Sequence, residues 1–263
     1  MDLGLRGRIA LVTGSSKGLG KAVAFKLAAE GCEVVISSRN NDNLQLAASE
    51  IAKSTGKEIT TIKCDVTDKA EIEALKKTII KKFARLDILV CNAGGPPAGY
   101  IDDFETPDYR DALELNLIST VSLCNAFYPI MKKHNWGRII NITSISVKQP
   151  IDNLILSNTA RTGVIGFSKS LSNQLAPFGI TVNAVCPGYT DTERVAGLAK
   201  SYQDSGKGTE RDFYRNISSA IPMGRMAKPG EFADAVTFLA SERAGYITGI
   251  ALQIDGGFYK GLY

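Results

Sequence analysis

A glycine-rich loop near the start of the chain has the composition of an anion-binding site. It reads Thr13-Gly14-Ser15-Ser16-Lys17-Gly18-Leu19-Gly20 and separates an apolar run from a helix-forming one. Gly14 permits a sharp turn, because glycine adopts positive φ without steric cost, and Gly18 and Gly20 leave the backbone open to a ligand. The N–H groups and dipole of the following helix favour a dinucleotide pyrophosphate. The expected ligands are Thr13, Gly14, Ser16, Lys17, Gly18, Leu19 and Gly20.

The context of this loop strengthens the prediction. Its glycines are spaced G-x-x-x-G-x-G rather than in the common G-x-G-x-x-G pattern, and a surface turn could have the same composition. An apolar strand at 9–12 precedes the loop, however, and a second apolar strand at 33–37 follows at the distance of a βαβ unit. Strand, loop and helix in this order are what a dinucleotide-binding unit requires.

The residues after the second strand indicate which dinucleotide binds. A carboxylate there would bind a ribose 2′-hydroxyl and favour NAD. The chain instead reads Ser37-Ser38-Arg39, with no acid. The planar fork of Arg39 suits a phosphate, and Lys17 adds a second cation. Both could be solvated surface charges, but we expect Ser38, Arg39 and Lys17 to favour NADP(H) over NAD(H).

Apolar strands and helical stretches alternate along the whole chain. The strands, expected at 8–13, 33–38, 59–64, 87–91, 137–143, 181–186 and 250–254, read as continuous Val/Ile/Leu runs, which is typical of strands buried on both faces. Helices are expected at 17–30, 41–54, 69–83, 107–133, 154–177 and 230–241. This order predicts an α/β fold with a doubly wound parallel sheet, in one domain spanning 1–263. Residues 189–223 follow a strand end and interrupt the alternation of strands and helices. We interpret them as a substrate lid, with an ordinary solvent-exposed segment as the alternative.

Composition excludes several other classes of protein. The 263 residues carry a formal net charge of +4 and are 44% hydrophobic, without a basic, aromatic-interleaved stripe, so we expect no nucleic-acid partner. No apolar run approaches the ~20 residues of a membrane span, and we expect no signal peptide before the first strand. The five cysteines are scattered singly, which favours reduced, buried thiols in a cytoplasmic protein. His134 is the sole histidine, and no metal site is expected.

Further motifs, in order, resemble those of the short-chain dehydrogenase/reductase family. They are the glycine loop, Asn92-Ala93-Gly94, Asn116, Ser144, Pro187-Gly188, the run from Ile221 to Arg225, Tyr246-Ile247-Thr248-Gly249 and Asp255-Gly256-Gly257. The chain looks most like the β-ketoacyl-carrier-protein-reductase-like branch. The resemblance implies a Rossmann fold with seven parallel strands in the order 3-2-1-4-5-6-7, flanked by helices. It also implies a homotetramer that pairs through the helices at 107–133 and 154–177 and through the C-terminal strand.

The same resemblance assigns further cofactor contacts. Asp65 and Val66 would hold the adenine, although Asp65 could instead be a turn residue, and Asp68 is the expected cap of the next helix. Asn92, Ala93 and Gly94 would let the cofactor ribose lie against the sheet. Pro187 and Gly188, with Thr190 and Thr192, would seat the nicotinamide carboxamide.

The catalytic helix departs from the family pattern. Family reductases use a serine, a tyrosine thirteen residues later, a lysine four residues further on, and an asparagine that holds a relay water. Ser144 and Asn116 match, but the tyrosine and lysine positions hold Ser157 and Arg161. Their i,i+4 spacing still places both on one helix face. A Y-x-x-x-K match at Tyr128–Lys132 precedes Ser144 and is interpreted as a coincidence.

This departure leaves the proton donor open. A serine hydroxyl is a much weaker acid than a phenol, whereas Arg161 keeps a positive charge that can still bind ribose hydroxyls. Tyr189 is the first candidate for a replacement acid and Tyr100 is a weaker one, while Lys148, four residues after Ser144, could also face the substrate. The sequence therefore predicts an NADP(H)-dependent oxidoreductase for a small carbonyl or alcohol substrate. The alternatives are an NADP(H)-binding sensor without turnover and a dehydratase or isomerase that needs no tyrosine.

Overall fold

Seven parallel strands form the centre of the molecule. The structure is a computed structural model, and it describes residues 1–262. The sheet order is β3-β2-β1-β4-β5-β6-β7, which confirms the expected order. The strands are β1 (Ile9–Thr13), β2 (Glu33–Ser38), β3 (Ile59–Lys63), β4 (Ile88–Cys91), β5 (Gly137–Ile142), β6 (Ile180–Pro187) and β7 (Ala251–Ile254).

Burial on both faces explains why the central segments form strands. Every residue of β1, β4, β5 and β6 is buried. Successive side chains point to opposite faces of a strand, so Ala10 and Val12 of β1 join the core on one face and Ile9 and Leu11 join the core on the other. The sheet is thereby enclosed between two helical layers, and the carboxyl ends of its strands meet at one edge.

Nine α-helices are present in residues 1–262. They are α1 (Gly18–Ala29), α2 (Asn41–Thr55), α3 (Lys69–Phe83), α4 (Thr106–Leu113), α5 (Ser119–Lys133), α6 (Ile155–Leu175), α7 (Glu193–Asp204), α8 (Glu210–Ala220) and α9 (Pro229–Ala240). Polar side chains cap several of them. As expected, Asp68 caps α3 by accepting hydrogen bonds from Ala70 N at 2.7 Å and Glu71 N at 3.2 Å.

The helix expected at 107–133 is interrupted. A π-helical turn at Glu114–Ile118 separates α4 from α5, so the expectation of one continuous α-helix was wrong. A π turn accommodates one extra residue, and such turns occur often at functional sites. Here it contains the buried Asn116, whose backbone carbonyl accepts a hydrogen bond from Thr120 Oγ1 at 2.8 Å.

The segment after β6 is largely helical. Residues 189–223 showed only weak helical patterning, yet they form α7 and α8, which pack together through the rings of Tyr202, Phe213 and Tyr214. Thr209 begins α8 with a capping box: its Oγ1 accepts from Asp212 N, and the Asp212 carboxylate accepts from Thr209 N. These helices lie beyond the carboxyl end of β6, where they can border a ligand site.

None of the helices in residues 1–262 has the length and apolar character needed to cross a membrane.

Candidate active site

A cleft of about 670 Å³ opens at the carboxyl ends of the strands. This size falls in the range of about 300–1,000 Å³ that is usual for small-molecule sites. Twenty of the sequence-predicted residues line it: Gly14, Ser16, Lys17, Gly18, Leu19, Ser38, Arg39, Asp65, Val66, Asn92, Ala93, Gly94, Ser144, Ser157, Arg161, Pro187, Gly188, Tyr189, Thr190 and Thr192. Thr13, Gly20 and Asn116 lie behind this lining.

The glycine loop is shaped partly by its own packing. Gly14 has φ +56°, and a Cβ there would lie 2.6 Å from Asn92 O. A Cβ on Gly20 would lie 2.5 Å from Gly14 O, so Gly20 is needed for close packing within the loop rather than for ligand approach. Gly18, at φ +58°, would meet nothing closer than Thr192 Cγ2 at 3.9 Å. Gly18 is therefore the glycine whose surroundings are open to a ligand.

Thr13 and Asn92 hold β1 against the loop after β4. Thr13 Oγ1 donates to Asn92 O at 2.8 Å and accepts from Asn92 N at 2.9 Å, and Asn92 Nδ2 donates to Gly14 O at 2.9 Å. No side chain caps the N-terminus of α1, where Lys17 is the boundary residue. The amides of the first turn of α1 are consequently available to an anion.

The other end of the cleft lies beside β2 and β3. Arg39 is exposed there and forms no ion pair within residues 1–262. Asp65 Oδ1 accepts from Thr67 N at 3.0 Å and Thr67 Oγ1 at 2.8 Å, so Asp65 also has the turn role considered above. Burial works to raise the pKa of Asp65, but the hydrogen bonds from Thr67 and the positive charge of Arg39 lower it overall. The carboxylate therefore stays charged and beside a cation at neutral pH.

Lys17 contacts the segment after β6. Its Nζ lies 2.6 Å from Glu193 Oε2, and both side chains are exposed. The cation expected to favour a phosphate is thus paired with an acid at the start of α7. Because exposed ion pairs contribute only about 0–1 kcal/mol, an incoming phosphate could exchange this partner at little cost.

Ser144 and Ser157 both present hydroxyl groups to the cleft. Ser144 Oγ accepts a hydrogen bond from Ser146 N at 3.1 Å, which leaves its own proton free to donate. Ser157 lies in the first turn of α6, is 5% exposed and makes no hydrogen bond through its side chain within residues 1–262. Asn116 Nδ2 donates to Gly94 O at 2.9 Å and so supports the corner after β4 from behind.

Arg161 is buried and hydrogen-bonded to backbone carbonyls. Its Nη1 donates to Thr143 O at 3.0 Å and Ile142 O at 3.3 Å, and its Nη2 donates to Gly94 O at 3.4 Å. Burial, and then the charge of Arg194, lower the pKa of Arg161 to about 10. The guanidinium therefore remains charged at neutral pH and joins the ends of β4 and β5.

Comparisons with known proteins agree with this geometry. A family model described as enoyl-(acyl carrier protein) reductase matches residues 14–259. The 3-oxoacyl-[acyl-carrier-protein] reductase of Escherichia coli is 37% identical over 98% of this chain and 99% of its own length, and that of Aquifex aeolicus is 33% identical over 98% and 100%. The chain belongs to the short-chain dehydrogenase/reductase family.

Solved structures of the family resemble the whole chain. L-sorbose reductase from Gluconobacter frateurii, complexed with NADPH and L-sorbose, superposes with a TM-score of 0.94 at 31% identity and 100% coverage of both chains. A variant actinorhodin polyketide ketoreductase with NADPH has a TM-score of 0.92 at 33% identity, covering 96% of this chain and 97% of its own. The expected family and Rossmann-like fold are therefore confirmed.

Tyr189 is the one tyrosine among the residues that line the cleft. Its ring meets that of Phe258 edge to face at 5.5 Å, and burial and then the charge of Asp152 raise its pKa. Tyr189 therefore holds its proton more tightly than an ordinary phenol. Tyr100 and Lys148 are not part of the cleft lining; the Tyr100 hydroxyl instead accepts a hydrogen bond from Lys207 at 3.2 Å.

Sequence reasoning missed several residues that line the cleft. Arg194, the second residue of α7, donates through Nη2 to Pro96 O at 2.7 Å and lies against Gly95. Ile151, Leu154 and Leu198 add apolar surface to the same cleft. Arg194 directly follows Glu193 in a polar run, and nothing in that run distinguishes it from a solvated arginine.

Proposed function

We propose that the chain is an NADP(H)-dependent reductase that acts on a small carbonyl substrate, with the reverse oxidation of the alcohol at the same site. The observation that carries this proposal is the continuity of one cleft. At one end the cleft contains Arg39 and the glycine loop, whose free amides can bind a phosphate, and at the other end it contains Ser144 and Ser157. The NADPH complexes of L-sorbose reductase and the ketoreductase support the choice of cofactor.

The residues present fit a nicotinamide dinucleotide. Gly18 leaves room for a pyrophosphate beside the uncapped start of α1. Thr190 lines the cleft, and its Oγ1 is buried without a hydrogen-bond partner within residues 1–262, so a carboxamide bound beside it would supply one. A buried hydroxyl without a partner is costly, so a ligand that pairs it is favoured. Arg39 has the planar fork that suits a 2′-phosphate.

The mechanism assigns different tasks to the catalytic residues. Bound NADPH would supply the hydride to the carbonyl carbon. Ser144 and Ser157 would donate hydrogen bonds to the substrate oxygen and orient it. The fixed charge of Arg161 would stabilise negative charge as it develops on that oxygen, because such charges act strongly in a water-poor site. A serine hydroxyl holds its proton at neutral pH, so Tyr189 or solvent water would complete the alcohol.

The experiment is NADPH oxidation by the purified protein against a panel of ketones, aldehydes and oxo acids. Turnover that falls in Ser144→Ala, with NADPH affinity unchanged, is the expected result. Tyr189→Phe decides between phenol and water as the proton source, because removing a positioned general acid costs ~10²–10⁴ in rate. Tight NADPH binding without oxidation of NADPH by any carbonyl would favour an NADP(H)-binding sensor instead. The oxidoreductase relatives do not favour that alternative.

We also infer a homotetramer of the family type. Ile118, at the π turn, and Ile250, before β7, are 41% and 37% exposed, and Tyr246 is fully exposed. All three lie on or beside the segments expected to pair. Light scattering should give four times the 28.2 kDa chain mass, and a monomer would refute this assembly.

A further inference from the structure

Two arginines that border the cleft have no acidic partner. The charged residues of the lining are Lys17, Arg39, Arg161, Arg194, Asp65 and Glu193. Glu193 pairs with Lys17, and Asp65 lies within the electrostatic reach of Arg39. Within residues 1–262, neither Arg161 nor Arg194 forms an ion pair, and both donate hydrogen bonds to backbone carbonyls. The cleft therefore has unbalanced positive charge at these two residues.

The two guanidinium groups border the same short loop after β4. Arg161 Nη2 donates to Gly94 O at 3.4 Å, and Arg194 Nη2 donates to Pro96 O at 2.7 Å. Gly95 lies between these carbonyls, and a Cβ on it would be 3.2 Å from Arg194 Nη2. Arg161 is buried, whereas Arg194 is exposed, so Arg194 is the guanidinium that an anion can reach. A negatively charged group bound there would also offset the buried charge of Arg161. The loop thus keeps two cations ready for one negatively charged group.

We propose that Arg194, with Arg161 behind it, binds the carboxylate of an oxo-acid substrate. This proposal rests on the proposed function and names its substrate class. A guanidinium binds a carboxylate through two parallel hydrogen bonds, which suits a planar acid group. Ile151, Leu154 and Leu198 line the same cleft and provide apolar contacts for the rest of the molecule. The substrate is therefore an oxo acid with an aliphatic or aromatic body.

The cofactor pyrophosphate is the other source of an anion. Arg194 follows Glu193, which reaches Lys17 in the glycine loop, so a guanidinium on α7 also suits a phosphate. The two sources differ in what Arg194 changes: a carboxylate contact affects the oxo acid alone, whereas a pyrophosphate contact affects NADPH itself. Both affinities are therefore measured on each variant.

The test is calorimetric binding to protein saturated with NADP⁺, with α-ketoisocaproate and its methyl ester as a matched pair. Arg194→Gln removes the charge, Arg194→Lys keeps it, and Arg211→Gln changes an exposed arginine of α8 outside the cleft lining. We expect the wild type to bind the acid and to discriminate against the ester. Arg194→Gln should weaken binding of the acid by about 10- to 100-fold, the value of a charge-assisted hydrogen bond. Arg194→Lys should recover part of the loss, and Arg211→Gln should match the wild type.

Three results would overturn the proposal. They are equal binding of acid and ester, the absence of any binding that depends on Arg194, and a loss of NADPH affinity in Arg194→Gln that equals the loss for the acid. The last result would assign Arg194 to the pyrophosphate. Because binding is read without turnover, a protein that binds the oxo acid through Arg194 but never oxidises NADPH would contradict the proposed function alone.

Discussion

Arg161→Met tests whether the buried guanidinium supports the cleft or serves mainly as a cofactor ligand. Methionine roughly preserves the apolar bulk of the side chain while removing its charge and its donors. Of the three backbone contacts, that to Thr143 O at 3.0 Å is the best formed, and those at 3.3 and 3.4 Å are long. Gly94 O also keeps its hydrogen bond from Asn116. The substitution therefore removes mainly one strong contact.

The magnitude follows from this contact and from the cost of burying the charge. A hydrogen bond to a charged group contributes about 1.5–3 kcal/mol. Relief from burying a guanidinium without an acid offsets part of this loss. We expect the free energy of unfolding to fall by about 1–2 kcal/mol, which corresponds to a decrease in Tm of about 2–8 °C for a chain of this size.

The assay is thermal unfolding followed by circular dichroism, together with the Kd for NADPH, on Arg161→Met and wild type. Arg161→Lys is the matched variant, because it keeps a charge but loses the planar fork that reaches several carbonyls. An unchanged Tm together with a large loss of NADPH affinity would refute the reasoning. The guanidinium would then act on the cofactor rather than on the ends of β4 and β5.

Three further predictions follow from the cleft. Arg39→Ala should weaken NADPH binding by about 10- to 100-fold and leave NADH binding unchanged, because only NADPH carries the 2′-phosphate. Titrations with both cofactors measure this, and equal losses of affinity for NADPH and NADH would argue against a phosphate contact. Gly94→Ala should preserve Tm but impair NADPH binding, since a Cβ at Gly94 meets no protein atom within 4 Å and would face the cleft. Gly20→Ala should instead lower Tm, because its Cβ would lie 2.5 Å from Gly14 O. If Tyr189 is the proton donor, its raised pKa keeps the phenol protonated at and above the pH at which an ordinary tyrosine loses its proton. The kcat/KM for reduction should therefore not fall between neutral pH and pH ~9. A fall near neutral pH that Tyr189→Phe abolishes would contradict this.

The central strands were predictable because burial on both faces requires apolar residues at successive positions. The limits expected for β2, Glu33–Ser38, match the structure to the residue, and β5 and β6 differ from expectation by a residue at one or both ends. The π turn at Glu114–Ile118 was not predictable in this way. Its residues continue a helical pattern, and the extra residue is accommodated by the tertiary packing around Asn116.

The candidate site was predictable where the backbone binds and less so where side chains meet. Glycine spacing and strand ends indicated the phosphate loop and the corner after β4, because turns and close approaches require particular residue types. Arg194 carried no such signal. An arginine in a polar run is ordinarily solvated, and only the fold brings it over Gly95 and beside Arg161. The unpaired charge of the cleft is a property of the tertiary structure alone.

We propose that Ser157 and Arg161 occupy the tyrosine and lysine positions of the family pattern, which changes the electrostatics of the site. A lysine beside a tyrosine would assist proton donation by stabilising the phenolate. Here no phenol follows Ser144 at that spacing, and Arg161 is held by backbone carbonyls at 3.0–3.4 Å, so its charge is fixed and cannot be relayed as a proton. A fixed cation is still effective in stabilising an oxygen that becomes negative, while Arg194, in our proposal, binds the substrate carboxylate at the same loop. We therefore propose that the site suits substrates whose reaction depends more on charge stabilisation than on a strong acid, such as the proposed oxo acid held by its carboxylate.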